Sequence, residues 1–207
     1  MNNQKVINSV KEKLHNTFDF VDRTIDKSGV SVSFLYLKSI TDNELFSQAV
    51  FEPIQLFDGT LTFEKMTELI QSNDTKFIKK SEILENIVKG GVIVFCSNSD
   101  KFLSIDLLKY TARAPTEPPT SSVILGPREG FTEDIKTNLA MMRKHFYSNS
   151  LVFENFSVGK TTQTQVVIAY LEPIADKKLV DLIRKKLKSI KIDGIVDSYY
   201  LSNLLCE

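Results

Sequence analysis

The sequence predicts an α/β protein of two small subdomains with mixed sheets, joined by a proline- and threonine-rich linker. Three observations predict it. Apolar strand-like runs alternate with segments whose apolar residues fall at helical spacing, both before and after the middle of the chain. The stretch Ala114–Ser122 (APTEPPTSS) holds three prolines and no large apolar residue, the signature of a linker stiffened toward polyproline II. The length, 207 residues, suits one ordinary domain or two small ones. The division drawn from these is residues 1–112, a linker at 113–121, and a second α/β subdomain over 122–207.

The elements follow in order. Val6, Ile7, Val10 and Leu14 share one face of a helix spanning about Asn2–Leu14. Asp19, Asp22 and Asp26 lack the central glycine and terminal bidentate glutamate of a calcium loop, so they read as a solvated helical face. Val30–Ile40 (VSVSFLYLKSI) reads as a buried strand. Thr41 or Asp42 can cap the next helix, with Leu45, Phe46, Ala49 and Val50 apolar and Pro53 at or just past its end. Thr62 can cap Phe63–Ser72. Ser81 and Glu82 open a helix carrying Ile83, Leu84, Ile87 and Val88, stopped by Gly90-Gly91. Val92–Cys96 and the alternating run Phe102–Tyr110 suggest a hairpin across the turn cluster Ser97–Asp100.

Beyond the linker, Thr132 is placed to cap a helix reaching about Phe146, with Ile135, Leu139, Met142 and Phe146 as its buried stripe. Glu133 and Asp134 at its start and Arg143, Lys144 and His145 at its end suit the helix dipole. Leu151–Phe156 and Thr161–Leu171 form a second hairpin, turning at Val158-Gly159-Lys160. Asp176 caps a helix to about Ile190, whose core side is Leu179, Ile183, Leu187 and Ile190. A short element over Ile195–Leu205 ends the chain.

Composition excludes several classes. The 26 basic residues balance 26 acidic ones, so no bulk attraction to nucleic acid is expected. Two unspaced cysteines make neither a disulfide framework nor a zinc site; no metal and no cofactor is expected. Met1–Val10 is no signal peptide, and no window approaches the roughly 20 apolar residues of a membrane span, so the chain as given reads as soluble. Gly159-Lys160-Thr161 resembles the end of a phosphate loop, but Glu154 stands where that motif needs its first glycine, and a strand rather than a helix follows. Neither His15 nor His145 has a carboxylate or cysteine at ligand spacing. An enzymatic reading therefore has no local support.

Two features remain as candidate sites. The loop Gly126-Pro127-Arg128-Glu129-Gly130, followed by Phe131 and leading to Asn138, presents one guanidinium and one carboxylate between two glycines. Arg128 can hold a carboxylate or phosphate, or an acid of the protein itself. Lys177, Lys178, Arg184, Lys185, Lys186 and Lys188 form a basic helix back, either simply solvated or a contact for anionic lipid or an acidic partner.

The run ILGPREGFTEDIKTNLAMMRKHF resembles a signature of the A subunits of the GerA family of spore germination proteins. Glu154–Thr164, Gln165–Ala175 and Ile192–Tyr199 resemble the same family in the same order. The similarity is strong from about Ser122 onward and looser over residues 1–110. Pro173 departs from the pattern.

The resemblance implies a non-enzymatic N-terminal domain of a nutrient germinant receptor A subunit, with membrane spans beyond this stretch. It implies B and C subunits and other A subunits as partners, in a ligand-gated ion channel of the inner spore membrane, with this domain on the cytoplasmic side. It carries no catalytic residues. Gly126–Gly130, Phe131 and Asn138 are motif positions and candidates for ligand or subunit contact; Arg128 and Glu129 are read as inter-subdomain or inter-subunit contacts. The alternative is a small-molecule binding module with a crevice between the two subdomains.

Overall fold

The structure, a computed structural model, describes residues 3–109, 130–195 and 197–206. The linker at 113–121 and Gly126, Pro127, Arg128 and Glu129 lie outside the described residues. The fold is α/β, as expected, but not with mixed sheets: every pairing among the described strands is antiparallel. Two compact units form. One holds Met1–Val10 with Phe20–Ser148, the other Lys11–Asp19 with Asn149–Glu207. The helix after the linker thus groups with the first unit rather than the second.

The first unit is built on five strands in the order β1-β2-β4-β5-β3. These are β1 (Phe20–Lys27), β2 (Val30–Leu37), β3 (Thr75–Ile78), β4 (Gly91–Cys96) and β5 (Phe102–Asp106). The central strands β2 and β4 are buried along nearly their whole length, as expected of the apolar run in β4 and of β2, whose apolar residues are broken only by Ser31 and Ser33. The expected hairpin of β4 and β5 forms, pairing Val92 with Ile105 and Val94 with Leu103.

Helices cover both faces of this sheet. Val32, Phe34, Tyr36, Val92, Val94, Leu103 and Ile105 pack against α2 (Asn43–Phe46), a π-helical turn (Ser47–Phe51), α3 (Glu52–Leu56) and α4 (Phe63–Leu69). On the other face lie α1 (Asn3–Lys13), whose Asn3 Nδ2 donates to Ser33 Oγ at 3.0 Å, and α5 (Ile83–Val88). Asp42 is the cap of α2, and Thr62 that of α4.

Asp22 and Asp26 sit in β1, an edge strand, and Asp19 is buried just before it; no helix forms. Charges on an edge strand guard its open backbone groups, and Val21 and Ile25 alternate inward against the core. Strand β3, only four residues, carries too little pattern to be read from sequence. Leu45 is exposed.

Pro53 does not end its helix, which continues to Leu56. Proline has no N–H for the carbonyl of Ala49, four residues back. That carbonyl accepts the Gln71 N–H instead, at 2.9 Å, and the preceding turn opens to π geometry.

The second unit is an antiparallel hairpin, β6 (Leu151–Val158) with β7 (Thr164–Leu171), and the helices α7 (Lys177–Ser189) and α8 (Ser198–Cys206). Phe156, Val158, Val166 and Ile168 meet Ile183, Leu187, Ile190, Leu201 and Leu205 in its core. The segment Lys11–Asp19 belongs to this unit through Phe153, which donates its N–H to Thr17 Oγ1 at 2.9 Å and accepts the Phe18 N–H at 3.0 Å. Leu179, expected in the core, is instead 54% exposed; Val180 takes its place. No helix among the described residues is long and apolar enough to cross a membrane.

Candidate functional site

Of the signature loop, the structure describes its end, Gly130 and Phe131, and the helix that follows, α6 (Ile135–His145). The cap of α6 is Asp134, not Thr132. Its carboxylate accepts the N–H groups of Lys136 and Thr137 at 3.3 and 2.9 Å, and the Thr137 hydroxyl as well. These bonds, the Thr137 hydroxyl first, hold the Asp134 carboxyl below its ordinary range. Thr132 has another task. Asn138 reaches back from the first turn of α6 and clamps it: Asn138 Oδ1 accepts the Thr132 N–H at 2.7 Å and the Thr132 hydroxyl at 3.2 Å, while Asn138 Nδ2 donates to the Thr132 carbonyl at 2.7 Å.

The consequence is a fixed backbone immediately beside an exposed aromatic ring. Phe131 leaves 70% of its surface in solvent, although its neighbour is held by three hydrogen bonds. A mobile loop would let such a ring fold back on the protein. A clamped one keeps it presented, the usual form of an aromatic contact anchor. Replacing Asn138 by alanine removes all three bonds and is expected to cost about 1–2 kcal/mol. Faster amide exchange at Thr132, with β-strand exchange unchanged, would identify the loss as local.

The buried stripe of α6 also differs from expectation. Leu139, Ala140 and Arg143 are buried, and Phe146 is exposed. Arg143, at 1% exposure, is the largest fully buried side chain among the described residues. A cation three and four residues from Ala140 and Leu139 sits on their face, and that spacing was legible in the sequence.

The basic residues of α7 separate into two groups. Lys177, Lys178, Lys185 and Lys188 are exposed and Lys186 half-buried, its ammonium donating to the Leu205 carbonyl at 2.6 Å. Arg184 instead turns onto the hairpin, where its guanidinium forks onto Glu154: Nε donates to Oε2 at 2.8 Å, and Nη2 bonds Oε1. Nη1 reaches Asp181 at 2.5 Å. The Tyr170 hydroxyl donates to Glu154 at 2.6 Å and accepts from Arg184 at 3.0 Å. Arg184 holds the Glu154 carboxyl below its ordinary range. Burial, then the bond to Glu154, pushes the Tyr170 phenol up to about 12. The fork is a closed, satisfied cluster that ties α7 to the strands.

The turn at Gly159-Lys160-Thr161 cannot cradle phosphate as it stands. The N–H of Lys160 goes to the Ile192 carbonyl at 2.9 Å, and those of Thr161 and Thr162 go to the Asp193 carbonyl at 2.8 and 3.2 Å. A phosphate loop needs such donors free and convergent. Cys96 is fully buried and its thiol pushed up to about 12 by burial, so it offers no thiolate near neutral pH. Among the described residues, no cluster of three or more His, Cys, Asp or Glu could hold a metal.

Residues 8–207 match the family described as Bacillus/Clostridium GerA spore germination protein. The chain is 30% identical over 193 residues to the uncharacterized membrane protein YfkQ of Bacillus subtilis (strain 168), covering 90% of this chain and 37% of that one. It is 31% identical over 199 residues to spore germination protein GerIA of Bacillus cereus, covering 95% and 30%. To spore germination protein A1 of Bacillus subtilis (strain 168) it is 29% identical over 198 residues, covering 95% and 41%. The chain thus spans roughly a third of the length of these relatives. Among solved structures, the N-terminal domain of the A subunit of the Bacillus megaterium spore germinant receptor GerK3 superposes with a TM-score of 0.65 at 24% identity, covering 96% of this chain and 76% of that one. That likeness establishes a shared fold.

Proposed function

This chain belongs to the GerA family of Bacillus/Clostridium spore germination proteins, and from that premise we propose that it is the N-terminal domain of a germinant receptor A subunit, acting in receptor assembly and germination signalling without chemistry of its own. One observation carries the proposal: the family match runs from residue 8 to residue 207 and so includes both compact units, not one shared motif. The site described above supports it. The Phe131 ring, exposed next to the Thr132 that Asn138 clamps, has the form of a docking anchor rather than of a catalytic group. The phosphate-loop resemblance is used up in a turn, and the buried Cys96 thiol is inert.

In this reading the B and C subunits and other A subunits are the partners, and no nucleic acid is. The assembly works at the inner spore membrane with this domain on its cytoplasmic side. Arg128 and Glu129, with Gly126, Pro127 and Gly130, belong to the contact segment that Phe131 anchors.

Deletion of the full-length gene tests the role. Spores lacking it are expected to lose the response to at least one nutrient germinant, followed as the fall in optical density, and to regain it on complementation. Unaltered germination with every nutrient that triggers the parent would contradict the proposal.

A further inference from the structure

Helix α7 gathers positive charge in a chain that has none overall. Its 13 residues carry Lys177, Lys178, Arg184, Lys185, Lys186 and Lys188 against the single carboxylate of Asp181, which Arg184 engages. The inner stripe, Val180, Ile183 and Leu187, faces the hairpin core. At 100° per residue, the side opposite Val180 and Leu187 holds Lys178, Leu182 and Lys185, with Leu179 and Lys186 beside them. The two leucines are 54% and 49% exposed. Neither belongs to the core of this unit, and Lys178, Lys185 and Lys186 are the neighbours of Leu182 one turn away.

We propose that this outer face of α7 rests on an anionic bilayer surface, with Leu179 and Leu182 dipping into the headgroup boundary and Lys178 and Lys185 spreading to lipid phosphates. Charge complementarity selects a lipid surface over a protein. Protein interfaces deplete lysine and rely on Trp, Tyr and Arg anchors, whereas the centre of this face holds lysine and leucine, and the Asp181 carboxylate at its margin is engaged by Arg184. Lysine stems lie along apolar surface while their ammonium groups stay in the polar layer, which suits the position of each residue around the leucines. Arg184, the one cation with a planar fork, is turned away onto Glu154. The proposal concerns lipid alone and stands apart from the assembly role.

The test is co-sedimentation of the 207-residue protein with vesicles rich in phosphatidylglycerol and with vesicles of phosphatidylcholine alone. Binding is expected to the anionic vesicles only, weakening as ionic strength rises. Lys178→Gln/Lys185→Gln alters two exposed side chains and is expected to lower partitioning about thirtyfold, at roughly 1 kcal/mol for each basic residue at the surface. Leu179→Ser/Leu182→Ser is expected to weaken binding while preserving its salt dependence. Far-UV circular dichroism verifies that both variants are folded. Absence of binding to anionic vesicles at low salt overturns the proposal, and so does binding that neither folded variant changes. Association with polyglutamate but not with vesicles would assign the face to an acidic protein and equally overturn it.

Discussion

Phe34→Ala is expected to destabilise the first unit by about 3–5 kcal/mol, the range for removing a buried phenylalanine from a packed core. Phe34 is fully buried on β2, an inner strand of the sheet. Its ring meets Phe46 edge-on at 5.6 Å and Phe51 at 5.7 Å, so it joins β2 to both α2 and the π-helical turn. Alanine leaves a cavity at this junction that the rigid sheet cannot close. In a chain of this size the loss corresponds to a fall in melting temperature of about 10 °C. Thermal unfolding followed by circular dichroism measures it. Phe77→Ala is the matched control: Phe77 is an exposed residue of the edge strand β3, and a surface change of this kind stays within about 0.5 kcal/mol.

Arg184→Met is expected to destabilise the second unit by about 2 kcal/mol, the scale of hydrogen bonds to a charged group that is partly shielded from water. The change removes the fork on Glu154 and leaves that partly shielded carboxylate with the Tyr170 hydroxyl as its remaining side-chain hydrogen bond. The effect depends on pH. Arg184 depresses the Glu154 pKa below its ordinary 4.5 in the folded protein. The pair therefore contributes fully above about pH 4.5, and its contribution is lost as pH falls through the depressed folded value. The stability gap between the parent and Arg184→Met should be widest near neutral pH and narrow on acidification below pH 4.5. Urea denaturation across that range measures it; a gap independent of pH would mean that Arg184 acts through its methylenes rather than its charge.

The helix caps Asp42, Thr62 and Asp176 were legible in the sequence because a cap is a local event, one side chain meeting N–H groups two or three residues away. The two hairpins were legible for the same reason. What failed was any choice between patterns that local spacing satisfies equally well. In α7, Leu179–Ile183–Leu187–Ile190 and Val180–Ile183–Leu187 both have helical period. Glu154, a distant residue on β6, contributes to the outcome, because its carboxylate needs Arg184 on the inner side. A glutamate sharing its strand face with Phe156 and Val158 was the available sign that a cation would come to meet it.

β1 was misread because the charges of an edge strand resemble those of a helix surface. The early Pro53 stop failed because the partner of the Ala49 carbonyl comes from Gln71, beyond the next helix. At the candidate site, Asn138 stands out in the sequence only as a motif position. Its clamp on Thr132 was not visible there, since a bond back across the helix start looks like any other polar residue in a first turn.

The proposed assembly role is tested most directly by whether the proposed B and C partners are recovered with the full-length protein from spore membranes, compared between the parent and Phe131→Ser. With 70% of its surface in solvent, Phe131 contributes little to folding, and the melting temperature of the 207-residue domain should stay within the equivalent of about 0.5 kcal/mol. The account predicts an intact domain that recovers less of its partner subunits and germinates slowly. Undiminished recovery with normal germination, or a domain that unfolds on losing this ring, would contradict it.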